Sequence, residues 1–490
     1  MKRLQDILVS LLVLLFLLIW TALATSVLGE DEVVGNAAEL AAAIARANAG
    51  GAKTILLEDG VYTLDDMLWV EADGVTVRSL SGNRDAVIIE GRGMNGYVTH
   101  VFNVAGSDFT VRDVTLRRVS QHAVQLQIDV DSVLIQNVHI LDTGEQMVKV
   151  AYDPDHPGRS SDSGIMEQCL LEYSAGIGPQ WYIGGIDAHN AKDWVVRDNT
   201  FMGIRSPSRD VAEFAIHFWS DSEDTLVERN TVINCDRGIG FGLGDRGHVR
   251  GIIRNNMIYH DSSEGFADVG IALESTTNAQ VYNNTIYHEQ SYPNAIEYRF
   301  RETTGALIVN NLTNRAISRR DGASGTLSHN VTDAEVGWFV DPAAGDLHLG
   351  FPVSSVVDQG QVLAGLSEDF DQESRPQDAG IDIGADEYPV SGPPRIITHP
   401  ADQRVNVGRS ATFRVVASGT RPLNYQWQKN LVDIEGATAA TYKTPPADMA
   451  DNGATFGCMV NNAEGSVASN EATLTVRPMT ALPGPLSPLL

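Results

Sequence analysis

The chain has 490 residues, 43% of them hydrophobic and 20% charged, which is enough for a folded soluble protein with more than one core. It carries 35 basic against 63 acidic residues, a formal net charge of -28, so long-range repulsion disfavours DNA, RNA and acidic membrane surfaces as partners. The same repulsion opposes an anionic polysaccharide unless basic side chains or a bound cation reverse the field locally.

The chain opens Met1-Lys2-Arg3, runs apolar from Ile7 to Trp20, and then reads Ala22-Leu23-Ala24, the small-x-small pattern a signal peptidase accepts. Residues 1–24 therefore read as an export signal, and the mature chain is expected outside the cytoplasm, free of the membrane and monomeric. An uncleaved anchor is the alternative, because the apolar run with its flanks approaches spanning length. Cys169, Cys235 and Cys458 are an odd number for an exported chain, so no disulfide framework is expected to hold it together.

Ala38 to Ala49 is Ala-rich with helical propensity, and the apolar pieces Thr54-Ile55-Leu56-Leu57 and Gly60-Val61-Tyr62 follow it. Beyond them one phrase recurs: alternating apolar residues, a polar residue or two, an Asn, then another apolar alternation. It stands at Val133 to Val138, with Asn137, and at Trp194 to Asn199, Thr225 to Asn230, Gly251 to Asn256, Gln280 to Asn284 and Leu307 to Asn311. From Asn199 the intervals to Asn230, Asn256, Asn284 and Asn311 are 31, 26, 28 and 27 residues. Strands alone at that period predict a solenoid of stacked β-rungs, an all-β parallel β-helix with the Ala-rich helix capping its open end. Asn suits a sharp corner, where it tolerates a left-handed backbone and its amide can bond the Asn of the next rung.

The stretches "AAELAAAIARANAGG", "KTILLEDGVYTL" and "GVTVRSLSGNRDAVIIEG", with the closing phrase "DIGADEY", resemble pectate-lyase-like right-handed parallel β-helix proteins. Among these the chain is most similar to chondroitinase-B-type and alginate lyases, over roughly residues 36 to 388. The resemblance implies a secreted protein acting on polysaccharide. It does not carry a catalytic set over: the acidic cluster and catalytic arginine of calcium-dependent pectate lyases have no match here. The Lys and Arg pair that the chondroitinase-B type implies on neighbouring rungs is represented only by Lys149 and Arg299, several rungs apart.

Each rung carries a second strand with an Ile or Val at a matching place: Gln146 to Val150, Gly185 to His189, Ala215 to Trp219, Gly238 to Gly242, Gly270 to Glu274 and Ala295 to Arg299. Alternation along a strand turns Ile186, Ile216, Ile239, Ile271 and Ile296 inward with Ala188, Phe218, Phe241, Leu273 and Tyr298. The outward residues then stack into two columns about 4.8 Å per rung. One is Lys149, Asp187, His217, Gly240, Ala272, Glu297. The other is His189, Trp219, Gly242, Glu274, Arg299.

Gly240 and Gly242 read as a floor where a polymer could lie close, Trp219 as a face for a sugar ring, and Asp187, Glu274 and Glu297 as polar walls. In one reading a base, His217, His189 or Lys149, removes the C5 proton of a uronate while Arg299 or a bound metal neutralises its carboxylate. In a second, Asp187, His189 and His217 ligate a metal; zinc or calcium is the cofactor expected if one is used. The third is a solvated face. His100, His122, His139, His156, His248, His260, His288 and His329 share no spacing and read as surface or turn residues. Asp153 to Asp162 reads as a polar turn that could also hold calcium, and Arg299, Arg301, Arg319 and Arg320 as a local basic cluster suited to a carboxylate.

Residues 389–395, with Ser391-Gly392-Pro393-Pro394, read as a linker after the solenoid of residues 30–388. Beyond it "ATFRVVASG", "LNYQWQKN" and "DNGATFGCMVNNAEG" resemble strands B, C and F of an immunoglobulin-like sandwich over 396–478, with Trp427 in its core, Val415 at the usual cysteine position and Phe456 at that of the corner tyrosine. A Pro-rich tail, 479–490, ends the chain. The function expected is a lyase or C5-epimerase on a uronic-acid polymer; the alternative is a non-catalytic glycan-binding or adhesion protein at the cell surface or outside the cell.

Overall fold

A computed structural model describes residues 31–208, 210–262, 267–377, 380–388, 392–420 and 422–478. The expected export signal, the Pro-rich tail and residues 389–391 of the linker lie outside the described residues. The helix Ala37–Asn48 closes one end of the solenoid. Asn36 caps it by accepting from the Glu39 amide, and Leu40, Ala43, Ile44 and Ala47 turn into the core.

Three parallel sheets follow, of twelve, ten and ten strands among the described residues, each strand paired with its counterpart one turn earlier and one turn later. This is a parallel β-helix. The first sheet runs from Glu32–Val34 to Gly325–Ser328, the second from Gly60–Thr63 to Leu312–Thr313, and the third from Leu68–Val70 to Ala316–Arg319. The inward set expected from alternation is found: Ile186, Ile216, Ile239, Ile271 and Ile296, with Ala188, Phe218, Phe241, Leu273 and Tyr298, all belong to one buried core.

The corner between the first and second sheets holds the asparagine column. The Asn199 amide donates to Asn230 Oδ1 (3.0 Å), and the same bond repeats from Asn230 to Asn256 (3.0 Å), Asn256 to Asn284 (2.9 Å), Asn284 to Asn311 (2.9 Å) and Asn311 to Asn330 (3.0 Å). Each amide also satisfies a buried carbonyl of the preceding turn, as Asn256 does for Val227. The left-handed backbone belongs to the residue before the column: Asp198, Arg229, Asn255, Asn283 and Asn310 have φ between 52° and 58°. Asn137 (φ 51°) is such a corner residue, one position out of line with Asn199, and the buried Cys169 takes the column's place on the next turn by donating its amide to Asn199. All three cysteines are free and buried.

Residues after 330 fold back on the second sheet, where Phe339, Leu347, Leu349, Val356 and Ile383 cover Ile233, Met257, Tyr259 and Leu312. The closing phrase is clamped by the buried Arg375, whose guanidinium donates to Glu387 (2.6 Å) and to the carbonyls of Asp382 (3.1 Å) and Gly384 (2.8 Å). Asn283 donates to the same two carbonyls and ties the phrase to the corner.

The C-terminal unit begins its first strand at Arg395 and is built from mostly antiparallel strands around Phe413, Trp427 and Phe456. Trp427 is fully buried, lies opposite Cys458 in the strand pair Asn424–Lys429 and Thr455–Asn462, and donates its indole N–H to Ala439 O (2.9 Å). Phe413 and Phe456 stack at 4.5 Å, and Val415 is buried.

Replacing Asn256 by Ala strands the Asn230 donors and the Val227 carbonyl, and should cost at least about 2 kcal/mol. Asn330→Ala, at the half-buried end of the column, should cost about half as much. Urea unfolding midpoints test this; equal shifts would mean that the column does not hold the turns together.

Candidate functional site

The two outward columns stand in the register read from the sequence: Lys149 is opposite Asp187, Asp187 opposite His217, His217 opposite Gly240, Gly240 opposite Ala272 and Ala272 opposite Glu297. His189 is opposite Trp219, and Glu274 opposite Arg299. Outward, however, is not exposed. His217 has no accessible surface, Asp187, His189 and Trp219 keep 2%, 8% and 8%, and turns from both edges of the sheet cover them.

Asp187 is the hub. Its Oδ2 pairs with the Lys149 ammonium, and its Oδ1 accepts from the Trp219 indole (2.7 Å) with His217 Nδ1 at 3.6 Å. Burial alone would raise this carboxyl, but the Lys149 ammonium against it holds it far below the usual carboxylate range. Lys149 also donates to His189 Nε2 (3.0 Å). An ammonium only donates, so Nε2 carries the lone pair and Nδ1–H donates to Ser220 Oγ (3.1 Å). Burial pushes the His189 imidazole below the ordinary histidine value, which favours this neutral form, and Tyr152 stacks near it at 5.9 Å. Arg246, exposed on the turn after Gly242, lies over the Trp219 ring at 3.7 Å.

His217 is corrected as a base. Its Nε2 donates to Gly242 O (3.3 Å), Nδ1 faces Glu213 Oε2 at 3.9 Å and Asp187, and burial lowers it to about 4. No polymer can reach it. Burial, with the charge of Asp187, pushes the Glu213 carboxyl up.

Asp187, His189 and His217 do not form a cation cage, because Lys149 already occupies the side of Asp187 that faces His189. The glycine floor is also overturned. A Cβ on Gly240 would lie 2.8 Å from the Phe214 ring, which fills that space, and one on Gly242 (φ 75°) would strike Glu274 O. These glycines serve close backbone packing.

The lower column is closed by ion pairs within the chain. Glu297 accepts from Tyr292 (2.6 Å), Asn294 (2.5 Å) and Arg320 (2.8 Å), while Arg299 lies between Asp321 (3.0 Å) and Glu274 (3.7 Å). Arg301 pairs with Glu302, so three of the four arginines in the expected basic cluster are already neutralised. The cavity over Ala272, Glu274 and Glu297 holds about 50 Å³, the scale of one or two waters.

Five of the scattered histidines, His100, His122, His248, His260 and His288, are buried rather than at the surface. The turn after Tyr152 closes on itself, with His156 against Asp153 (2.7 Å) and Asn190 holding the carbonyls of Pro157 and Arg159.

Sequence reasoning missed the upper half of the face. The column continues through Gln125 and Asn103 to Trp69, on rungs whose corners lack the Asn of the repeat phrase. Trp69, Tyr97, Trp181 and Tyr182 are exposed aromatics, the last three on turns that lead into this sheet. Arg246 was also missed; a basic residue at the tip of the Gly242 to Gly247 turn was the available signal.

Residues 100–311 match the family model described as a right-handed beta helix region. Among solved structures the chain is similar to the N-terminal Ig1-2 module of the Drosophila receptor protein tyrosine phosphatase DLAR, at 27% identity over 19% of this chain and 52% of that one, with a TM-score of 0.17. It is similar also to titin domain M7, at 27% identity over 18% and 99%, with a TM-score of 0.16. The chain spans about half the length of the DLAR structures it matches. Matches this short bear on neither the coil nor its site. No curated protein matches the chain.

The buried histidines make stability depend on pH. Burial holds His217 near 4 and His122, His248 and His288 near 3, against 6.5 in the unfolded chain. Below pH 6.5 the unfolded state therefore binds more protons, and stability falls as pH falls, by about 1.4 kcal/mol per unit per group. Thermal midpoints should drop between pH 6.5 and about 5, and His217→Gln should flatten that slope by one group's share. An unchanged slope would show that His217 is not held neutral.

Proposed function

We propose that the chain is an exported protein that binds a uronic-acid-containing polysaccharide along the third sheet and acts on it as a lyase or C5-epimerase. One observation carries the reading: the neutral His189 Nε2 and the Lys149 ammonium lie 3.0 Å apart at the covered end of an amide-lined, aromatic-flanked strip. In a uronate the C5–H bond is one carbon away from the carboxylate. A base and a cation side by side therefore match what proton abstraction requires.

In this reading Lys149 turns its ammonium from His189 Nε2 to the substrate carboxylate, and the freed Nε2 takes the C5 proton. Lys149, held by Asp187, and the exposed Arg246 stabilise the charge that develops on the carboxylate. Elimination then breaks the C4–O4 bond, the departing oxygen taking a proton from water, and gives the unsaturated product; alternatively, a proton delivered from water to the opposite face of C5 gives the epimer. Trp69 and Gln125 would hold the polymer along the four rung steps from Trp69 to the strand of His189, about 19 Å. Access requires the Tyr152 and Arg246 side chains to move aside.

The C-terminal unit fits an immunoglobulin-like module without its disulfide, and we assign it spacing or attachment to a surface. A second reading, glycan binding without turnover, is favoured by the exposed Trp69, Tyr97, Trp181 and Tyr182 together with the shielding of His189.

Uronate polymers should give ultraviolet absorbance from an unsaturated product or, for an epimerase, proton exchange at C5 in deuterated water. His189→Ala should lower kcat/KM by about 10²–10⁴-fold with the fold intact, while Trp69→Ala weakens binding and spares kcat. The lowered histidine value keeps the base form available in mild acid, so kcat/KM should fall only below the ordinary histidine range. Binding without turnover in every polymer would select the second reading; neither binding nor turnover would remove both.

A further inference from the structure

A second cluster lies away from the third sheet, where the closing segment folds over the coil. His348, on the strand Asp346–Leu349, is 9% exposed. Its Nδ1 donates to Asp346, two residues earlier, which directs Nε2 away from that carboxylate. Nε2 is buried without a hydrogen bond and faces Asp371 Oδ2 at 3.4 Å and Asp386 Oδ1 at 3.9 Å. One ligand atom from each of His348, Asp371 and Asp386 lies within 4.8 Å of the others. Among the described residues these three are the set that meets this condition.

With Nδ1 protonated, Nε2 faces two carboxylate oxygens, an arrangement that calls for positive charge there, either a proton on Nε2 or a cation held among the three groups. We propose that His348, Asp371 and Asp386 bind a divalent transition cation of the zinc class, with Asp346 as the carboxylate that orients the histidine. An ion with ligands at about 2.0–2.1 Å in a tetrahedron sets them about 3.3 Å apart, close to the 3.4 Å and 3.9 Å found. The imidazole nitrogen selects such an ion over calcium or magnesium, which take oxygen ligands. A carboxylate on the far nitrogen is the usual support of a metal-binding histidine. Asp371 is partly exposed on the rim of a cleft of about 700 Å³, which gives an entry path and room for a water as fourth ligand.

The three ligands come from three separate segments: the strand at 346–349, the turn at 369–373 and the closing phrase at 382–388. The ion would staple the cover to itself where no disulfide is available. The role is structural and independent of the sheet face.

The test uses the full mature chain, stripped with a chelator and titrated separately with zinc and with calcium by calorimetry, with bound metal counted by mass spectrometry. One equivalent of zinc should bind, calcium should not compete, and the thermal midpoint should rise on loading. Asp346→Asn should weaken zinc binding about 10–100-fold. Asp371→Asn, at the accessible edge and so least disruptive to folding, should abolish stoichiometric binding, as should His348→Gln; His189→Ala should leave it unchanged. Absence of stoichiometric zinc, or zinc lost in His189→Ala and kept in Asp371→Asn, would overturn the proposal and leave His348 as an imidazolium between carboxylates.

Discussion

Register between successive turns is the constraint on which the rest of this molecule depends, because a parallel coil has no hairpins to set it. A slip of one residue would turn every inward Ile and Phe to the outside. The asparagine column resists that slip locally: each amide is bonded to the turns on both sides, and its carbonyl partners are buried where no water could replace it. The spacing along the column varies from 19 to 31 residues, yet the column stays in line. The variation is absorbed in the turns, which are therefore free to differ and to cover the third sheet. Register and cover come from different parts of each rung.

That division explains the geometry around Asp187. Fixed register places Lys149, Asp187 and His217 on adjacent strands, where the carboxylate meets two basic groups and an indole N–H. Turns of unequal length then close over them and remove water. A buried carboxylate is tolerable only when its oxygens are used, and those of Asp187 are shared between Lys149 on one side and Trp219 on the other. The cost is that His217, brought close by the same register, is sealed in with no partner at Nδ1.

Much of this was legible in the sequence, and what was not has a common cause. Period, inward set and both columns follow from alternation and spacing, which are local. Exposure is not local: it is decided by turns whose paths the repeat does not encode. So Glu297 read as a wall of an open groove and Gly240 as its floor, although Tyr292 comes down on Glu297 from the turn before its strand, and Phe214, at the start of the strand that carries His217, fills the space over Gly240. Arg299 and Arg320 read as unpaired cations because Asp321 and Glu297 meet them only in space. The upper face, Trp69, Asn103 and Gln125, was missed because the corners of its rungs carry no Asn at the ladder position to mark the repeat, as at Asp113-Val114 between the strands Thr110–Arg112 and Thr115–Arg117. The corner geometry was misassigned by one residue: sequence cannot separate the left-handed position from the bonded one when Asn fills both, as at Asn255 and Asn256.

The global charge of -28 and a carboxylate-bearing ligand are compatible once distance is considered. Fixed charges beyond about 8 Å are screened at physiological ionic strength, so a docked uronate responds chiefly to its immediate neighbours. There Asp187 pairs with Lys149, and Arg246 lies exposed over Trp219. Because Asp187 is spent on Lys149 inside the fold, the positive charge that a carboxylate would meet first at the surface is Arg246, which sits on a turn and not on the registered strands beneath it.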